Sequence, residues 1–175
     1  MKRIILFVFL FCFVCSAAFS KQKITTVLLV RHAEKLTTPA DDPALSPQGV
    51  ARAELLVRMF ENSGLNAIYT SQYARTKLTA EPLAERFRIP VETVDAKTTN
   101  KLVESILTKH SGGTVLVVAH SNTLPEIIHA LGAGKIQEID DLDYDNFYVV
   151  TVFGNGIAKV VRMKFFVTNA EPVCK

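Results

Sequence analysis

The sequence has no tryptophan and only three cysteines, two of which, Cys12 and Cys15, fall within the first twenty residues. It also has little net charge, formally +3 at pH 7. Nothing in so even a balance advertises nucleic-acid binding, so no nucleic-acid partner is expected. No internal repeat or low-complexity segment appears, and the one linker-like stretch runs from Thr37 to Pro43. With 175 residues, nearly half of them apolar, the chain has enough material for one packed core and too little for two comfortable ones.

Long apolar runs are absent except at the very start. "MKRIILFVFLFCFVCSAAFS" opens on Lys2 and Arg3, continues with an apolar stretch and then small residues, and ends in Ala18-Phe19-Ser20, an A-x-A-like cleavage pattern, before Lys21. That order is the pattern of a secretory signal peptide cleaved after Ser20. A retained anchor is the alternative, but the run is shorter than the roughly 20 apolar residues that cross a bilayer. The expected organisation is therefore residues 1–20 as a signal peptide and 21–175 as a single exported domain, secreted or periplasmic, with no stable membrane insertion after cleavage. In that domain 18 basic residues face 17 acidic ones, and Cys174 alone remains, so no internal disulfide can form. Stability must come from packing.

What the chain does have is an alternation of strands and helices. "ITTVLLV" is an apolar, β-branched run with no polar alternation, the pattern of a strand buried on both faces. Ser46 before Pro47 reads as an N-cap followed by a proline at the first helical position, and Val50, Ala53, Leu56, Val57 and Phe60 form an apolar stripe that Gly64 terminates. "NAIYTS", "PVETV" and "GGTVLVVAH" are further strands. "QYARTKLTAEPLAERF", which Pro82 is expected to kink or break, "TNKLVESILTKH" and "TLPEIIHALG" are helices. "FYVVTVF" and "IAKVVRMKFF", joined through Gly154-Asn155-Gly156, form a hairpin. The expected fold is α/β: a mainly parallel central sheet flanked by helices on both faces, with a C-terminal antiparallel hairpin.

In such sheets ligands bind beyond the carboxyl ends of the strands. Two strands end alike: "VLLV" runs into Arg31-His32, and "VLVVA" into His120-Ser121-Asn122. A lone histidine is more often structural than catalytic, but two that close apolar strands, the first beside an arginine, point to one shared site. Arg75 falls in the first turns of the helix after the second strand, where its planar fork and the helix N-terminus both suit an anion; a solvated arginine is the alternative for that residue alone. The histidines and carboxylates show no close metal-ligand spacing, and no metal or cofactor is expected.

Together these stretches resemble the histidine phosphatase superfamily (branch 1), the phosphoglycerate-mutase-like fold, and in particular its short members, which include bacterial phosphohistidine phosphatases. The resemblance runs from Val27 to about Leu131 through "LLVRHAEK", "LSPQGVARAELL", "AIYTSQYARTKLTA" and "VLVVAHSNTLPEII". Ala33 stands where the Arg-His-Gly hallmark has glycine, a replacement the short members share. Ser121-Asn122 stand where many members have two glycines, which alters the pocket beside His120.

The resemblance implies a metal-independent phosphatase acting on a small phosphorylated substrate. His32 would be the nucleophile and carry a phosphohistidine intermediate, while Arg31, Arg75 and a protonated His120 hold the phosphoryl group, or inorganic phosphate after turnover. Glu34 and Asn122 are additional site candidates. The proton donor to the leaving group is open between Glu34, Glu92, Asp95 and none, and Glu34 reads equally well as the partner of a neighbouring arginine. A non-hydrolytic phosphate-binding protein and a phosphoglycerate-mutase-type phosphotransferase are the alternative functions. The oligomeric state and the physiological substrate are not encoded in these motifs.

Overall fold

The computed structural model describes residues 23–166; the proposed signal peptide with Cys12 and Cys15, and the C-terminal Cys174, lie outside the described residues. The elements follow in the order β1 (Ile24–Arg31), α1 (Pro47–Phe60), β2 (Leu65–Thr70), α2 (Ala74–Phe87), β3 (Val91–Thr93), α3 (Thr99–Lys109), β4 (Thr114–Ala119), α4 (Thr123–Ala130), β5 (Asn146–Phe153) and β6 (Ala158–Lys164). They build one six-stranded sheet in the order β3-β2-β4-β1-β5-β6. The first four strands of that order run parallel, and β5 and β6 are antiparallel additions on the β1 side.

The uniform apolarity of β1 and β4 has its cause in this order, since both lie inside the sheet with helices on either face. Leu56, Phe60 and Leu83, from α1 and α2, pack with Leu28, Val30, Leu116 and Val118 on one face. Leu102, Ile106, Leu124 and Ile128, from α3 and α4, pack with Val27, Leu29, Val115 and Val117 on the other. Alternate residues of a strand thus serve opposite cores, each worth roughly 1.5–3 kcal/mol on full burial. Among the described residues no helix is long and apolar enough to cross a membrane.

Ser46 caps α1 as expected, accepting from Gly49 N at 3.2 Å, with Pro47 opening the helix. Two sequence expectations are corrected. Val50 is not on the buried stripe: it is 51% exposed, because Gly49 is the first-turn residue turned inward and the next residue lies about 100° around the helix. A side chain at Gly49 would collide with the Glu34 carbonyl oxygen. Pro82 does not break its helix, since α2 runs unbroken from Ala74 to Phe87. A proline removes a single backbone donor, and the buried Thr79, Ala80 and Leu83 around it hold the helix against its neighbours.

Candidate active site

The parallel register of β1 with β4 ends at the pair Arg31 and Ala119. The ladder continues one step further through the hydrogen bond from His32 N to Ala119 O, 2.9 Å, so His32 and His120 emerge side by side. Their ring centroids are 5.3 Å apart. Both lie at the floor of an open cleft of about 510 Å³, with Arg31, Arg75, Tyr73 and Tyr144 on its walls and Lys35, Lys97, Ser121, Asn122 and Asp141 at its edges.

His32 is buried, and its Nδ1 lies 2.8 Å from the Ala33 carbonyl oxygen. A carbonyl only accepts, so Nδ1 carries the hydrogen and Nε2 keeps a free lone pair. Burial drives the His32 proton off; the Ala33 hydrogen bond opposes this, and the charges of Arg31, His120 and Arg75 add to it, leaving the pKa lowered from 6.5 to about 3. The ring is a neutral base at neutral pH. The loop that carries it is tied down: Ala33 N donates to Thr79 Oγ1 at 2.9 Å, and Thr79 Oγ1 donates to the Arg75 carbonyl at 2.7 Å. One buried threonine therefore sets the spacing between His32 and the α2 turn that bears Arg75.

His120 departs from expectation in its charge. Burial first, then Arg75 and Arg31, lower its pKa to about 4, so the histidine read from the sequence as protonated is neutral in the unliganded site. Its Nε2 lies 2.9 Å from Ser71 Oγ, which lies 2.9 Å from Thr76 Oγ1, and Thr76 Oγ1 donates to the Tyr73 carbonyl at 2.8 Å. This buried chain fixes the ring orientation. Ser71 and Thr76 belong to "YTSQYARTKLTA", but nothing local in that stretch assigns them to His120.

The two arginines are held loosely by carboxylates and firmly by aromatic faces. Arg31 donates to the Asp140 carbonyl at 3.0 Å, pairs with Asp141 at 3.5 Å and lies over the Tyr144 ring at 4.1 Å. Arg75 pairs with Asp42 at 3.6 Å and lies over the Tyr73 ring at 4.3 Å. Asp42 also caps α2, accepting from Ala74 N with both oxygens at 2.9 and 3.1 Å, in place of a side-chain cap from Tyr73. Four buried side-chain polar atoms lack a partner among the described residues, and two of them are the Nε atoms of Arg31 and Arg75. An unsatisfied buried donor costs about 1–3 kcal/mol.

The remaining sequence candidates are placed as follows. Glu34 accepts from Arg52 through both oxygens at 2.6 to 3.1 Å and does not line the cleft. Glu92, within β3, is engaged by Lys109 at 3.0 Å and does not line the cleft. Asp95 accepts from Lys97 N at 2.8 Å and borders a small apolar cavity behind His120, not the cleft. Asn122 is exposed at the cleft edge, at the start of α4. The sequence reading missed Asp42, Asp141, Tyr73 and Tyr144. The acidic run "DDLDYD" just before β5 was the available signal for Asp141 and Tyr144. Among the described residues no three histidine, cysteine, aspartate or glutamate side chains are grouped to hold a metal ion.

The neighbouring parallel strands β1 and β4 deliver two histidines into an arginine-lined cleft. The family whose model the chain matches, over residues 27–98, is the histidine phosphatase superfamily (branch 1). No curated protein matches the sequence. Among solved structures, the protein histidine phosphatase SixA complexed with tungstate is 16% identical, with a TM-score of 0.64 over 79% of this chain and 96% of that one. YhfR from Bacillus stearothermophilus is 21% identical, with a TM-score of 0.66 over 78% of this chain and 95% of that one. A mycobacterial glucosyl-3-phosphoglycerate phosphatase is 13% identical, with a TM-score of 0.63 over 82% of this chain and 99% of that one. At these identities the likeness is one of fold.

Proposed function

We propose that the protein is an exported, metal-independent phosphatase that transfers a phosphoryl group from a small phosphomonoester or phosphoramidate to His32 Nε2 and then to water. The observation that carries this reading is the neutral, Nδ1-anchored His32 set between two arginines whose buried Nε donors have no partner. A phosphoryl group in transfer spreads negative charge over its oxygens, so fixed cations and a positioned lone pair are what the reaction asks of a protein. In the first step the His32 Nε2 lone pair attacks phosphorus as the bond to the leaving group breaks. In the second, water attacks phosphorus and the pair returns to Nε2. A bound phosphoryl anion offsets the arginine charges that drive the proton from His120, so the loaded site favours the imidazolium and gains a third cation.

Proteins of the same fold named as a protein histidine phosphatase and as a glucosyl-3-phosphoglycerate phosphatase keep both phosphoramidates and phosphate esters within this reading. His32→Ala is expected to abolish hydrolysis of an aryl phosphate while unfolding near the wild-type temperature, and dialysis against a chelator is expected to leave wild-type turnover unchanged. Turnover by His32→Ala within tenfold of wild type removes His32 from the nucleophile role. Export rests on the charged start, apolar run and small-residue end of residues 1–20. Mass spectrometry of the protein from its native host is expected to find Lys21 at the N-terminus, and an intact Met1 sinks that part of the reading.

A further inference from the structure

The geometry points to Asp141 as the catalytic acid and base of this site, supplied by the loop between α4 and β5; the assignment rests on the phosphatase reading above. Asp141 is the one carboxylate among the residues that line the cleft, and a carboxyl group is the strongest neutral acid a side chain offers. Its position is built. Ser121 Oγ, in the turn that follows His120, donates to Asp141 Oδ1 at 2.8 Å. Arg31 NH2 reaches the same oxygen at 3.5 Å, while Arg31 NH1 holds the adjacent Asp140 carbonyl at 3.0 Å. Oδ2 has no protein partner among the described residues and is the oxygen free to carry a proton.

The contrast with Asp42, the other aspartate beside an arginine of the site, sharpens the assignment. Both oxygens of Asp42 are committed to the backbone of Ala74, and Asp42 is outside the cleft lining. A phosphoryl group seated on Arg31 brings a second anion next to the Asp141 carboxylate.

In the first step the Nε2–phosphorus bond forms, the bond from phosphorus to the leaving oxygen breaks, and Asp141 Oδ2 gives its proton to that oxygen. In the second, Asp141 as carboxylate takes a proton from the attacking water, the new oxygen–phosphorus bond forms, and the Nε2–phosphorus bond breaks with its electron pair returning to His32. The cycle restores both residues and consumes one water.

The test compares leaving groups. An alkyl phosphate departs as an alkoxide that needs a proton, whereas 2,4-dinitrophenyl phosphate departs as a stable phenolate that does not. Asp141→Asn is expected to lower kcat/KM on the alkyl phosphate by 100-fold or more and on dinitrophenyl phosphate by less than threefold, with Asp141→Glu recovering part of the alkyl activity. Asp141 is exposed, 87% for its side chain, so unchanged unfolding temperatures are expected for both variants. An equal loss on both substrates makes Asp141 a positioning residue for Arg31 and overturns the assignment. Unchanged or raised activity on both makes it only a competing anion and overturns the assignment equally. Wild type that turns over dinitrophenyl phosphate but no alkyl phosphate has no proton donor, which also overturns it. Wild type inactive on both substrates refutes the phosphatase reading itself.

Discussion

Arg52, in α1, and Arg31, at the end of β1, are both buried, at 6% and 4% exposure, yet they are held in different ways. Arg52 is gripped by a single carboxylate: Glu34 accepts from its Nε and NH2 at 2.6 to 3.1 Å, with side-chain exposures of 7% and 14%. Arg31, like Arg75, faces an aspartate at 3.5 to 3.6 Å, and these aspartates are 87% and 44% exposed. The first arrangement is closed and bidentate, leaving nothing for a ligand. The second is open: long contacts to solvated loop carboxylates, a spare Nε on each guanidinium, and an aromatic ring behind. Burial is common to both arginines; what differs is the quality of the carboxylate partner.

The largest effect that tests this contrast lies in the closed pair. Arg52→Met leaves the Glu34 carboxylate buried and uncompensated, and is expected to cost about 3–5 kcal/mol of stability, read from urea unfolding. Changing Glu34→Gln at the same time is expected to recover most of that loss. Activity per folded molecule is expected to stay within tenfold of wild type. A catalytic loss as large as that of the cradle arginines, at unchanged stability, breaks the distinction.

Acid separates the two regions next. His120 is held at about 4 against 6.5 in the unfolded chain, so the native protein binds this proton more weakly than the unfolded one does. Stability is then complete above about pH 6.5 and falls as the pH drops towards 4. At about 1.4 kcal/mol per pH unit, His120 alone accounts for on the order of 3 kcal/mol of acid sensitivity. His120→Gln is expected to reduce by about half the part of the pH slope between 6.5 and 4.5 that the two site histidines share, His32 with its pKa lowered to about 3 keeping the rest, and an unchanged slope places the His120 ring in ordinary solvent.

The smallest of the three is a question of donor geometry in the open cradle. Arg75→Lys keeps a cation but loses the planar fork, and is expected to lower kcat/KM by on the order of 100-fold, about 2.7 kcal/mol, and to weaken inhibition by vanadate in parallel. Its unfolding temperature is expected to stay close to wild type. Equal vanadate inhibition of the two proteins puts Arg75 outside the site.

The sequence carried whatever is written locally. The unbroken apolarity of β1 and β4, the polar residues that close them, and the Ser46-Pro47 start of α1 follow from neighbouring residues alone, and the structure has them in place. The meeting of His32, Arg75 and His120 followed once strand ends were assigned to one edge of the sheet. Asp42 and Asp141 could not be found that way, because each reaches its arginine from a loop 33 or 110 positions away, a distance only the folded topology closes. Val50 failed for a subtler reason: helical period gives the spacing of a stripe but not its angle to the sheet, and Gly49, pressed against Glu34, sets that angle. The closed Glu34–Arg52 pair was anticipated only as an alternative, since a glutamate two residues past His32 reads as chemistry and as architecture with equal ease.

The register of β1 on β4 makes the histidine spacing a property of the backbone. No side chain has to find its partner across the cleft: the rung after Arg31 and Ala119 delivers His32 and His120 at the distance between neighbouring strands. Sliding either strand by one residue turns its opposite face inward and carries its histidine away from the other. The proposed activity would therefore be a gauge of assembly. During refolding, turnover should return only when the β1–β4 ladder has closed in step, whatever helix content has been regained before it, and a simple hydrolysis assay would time the pairing of two strands whose sequences lie more than eighty residues apart.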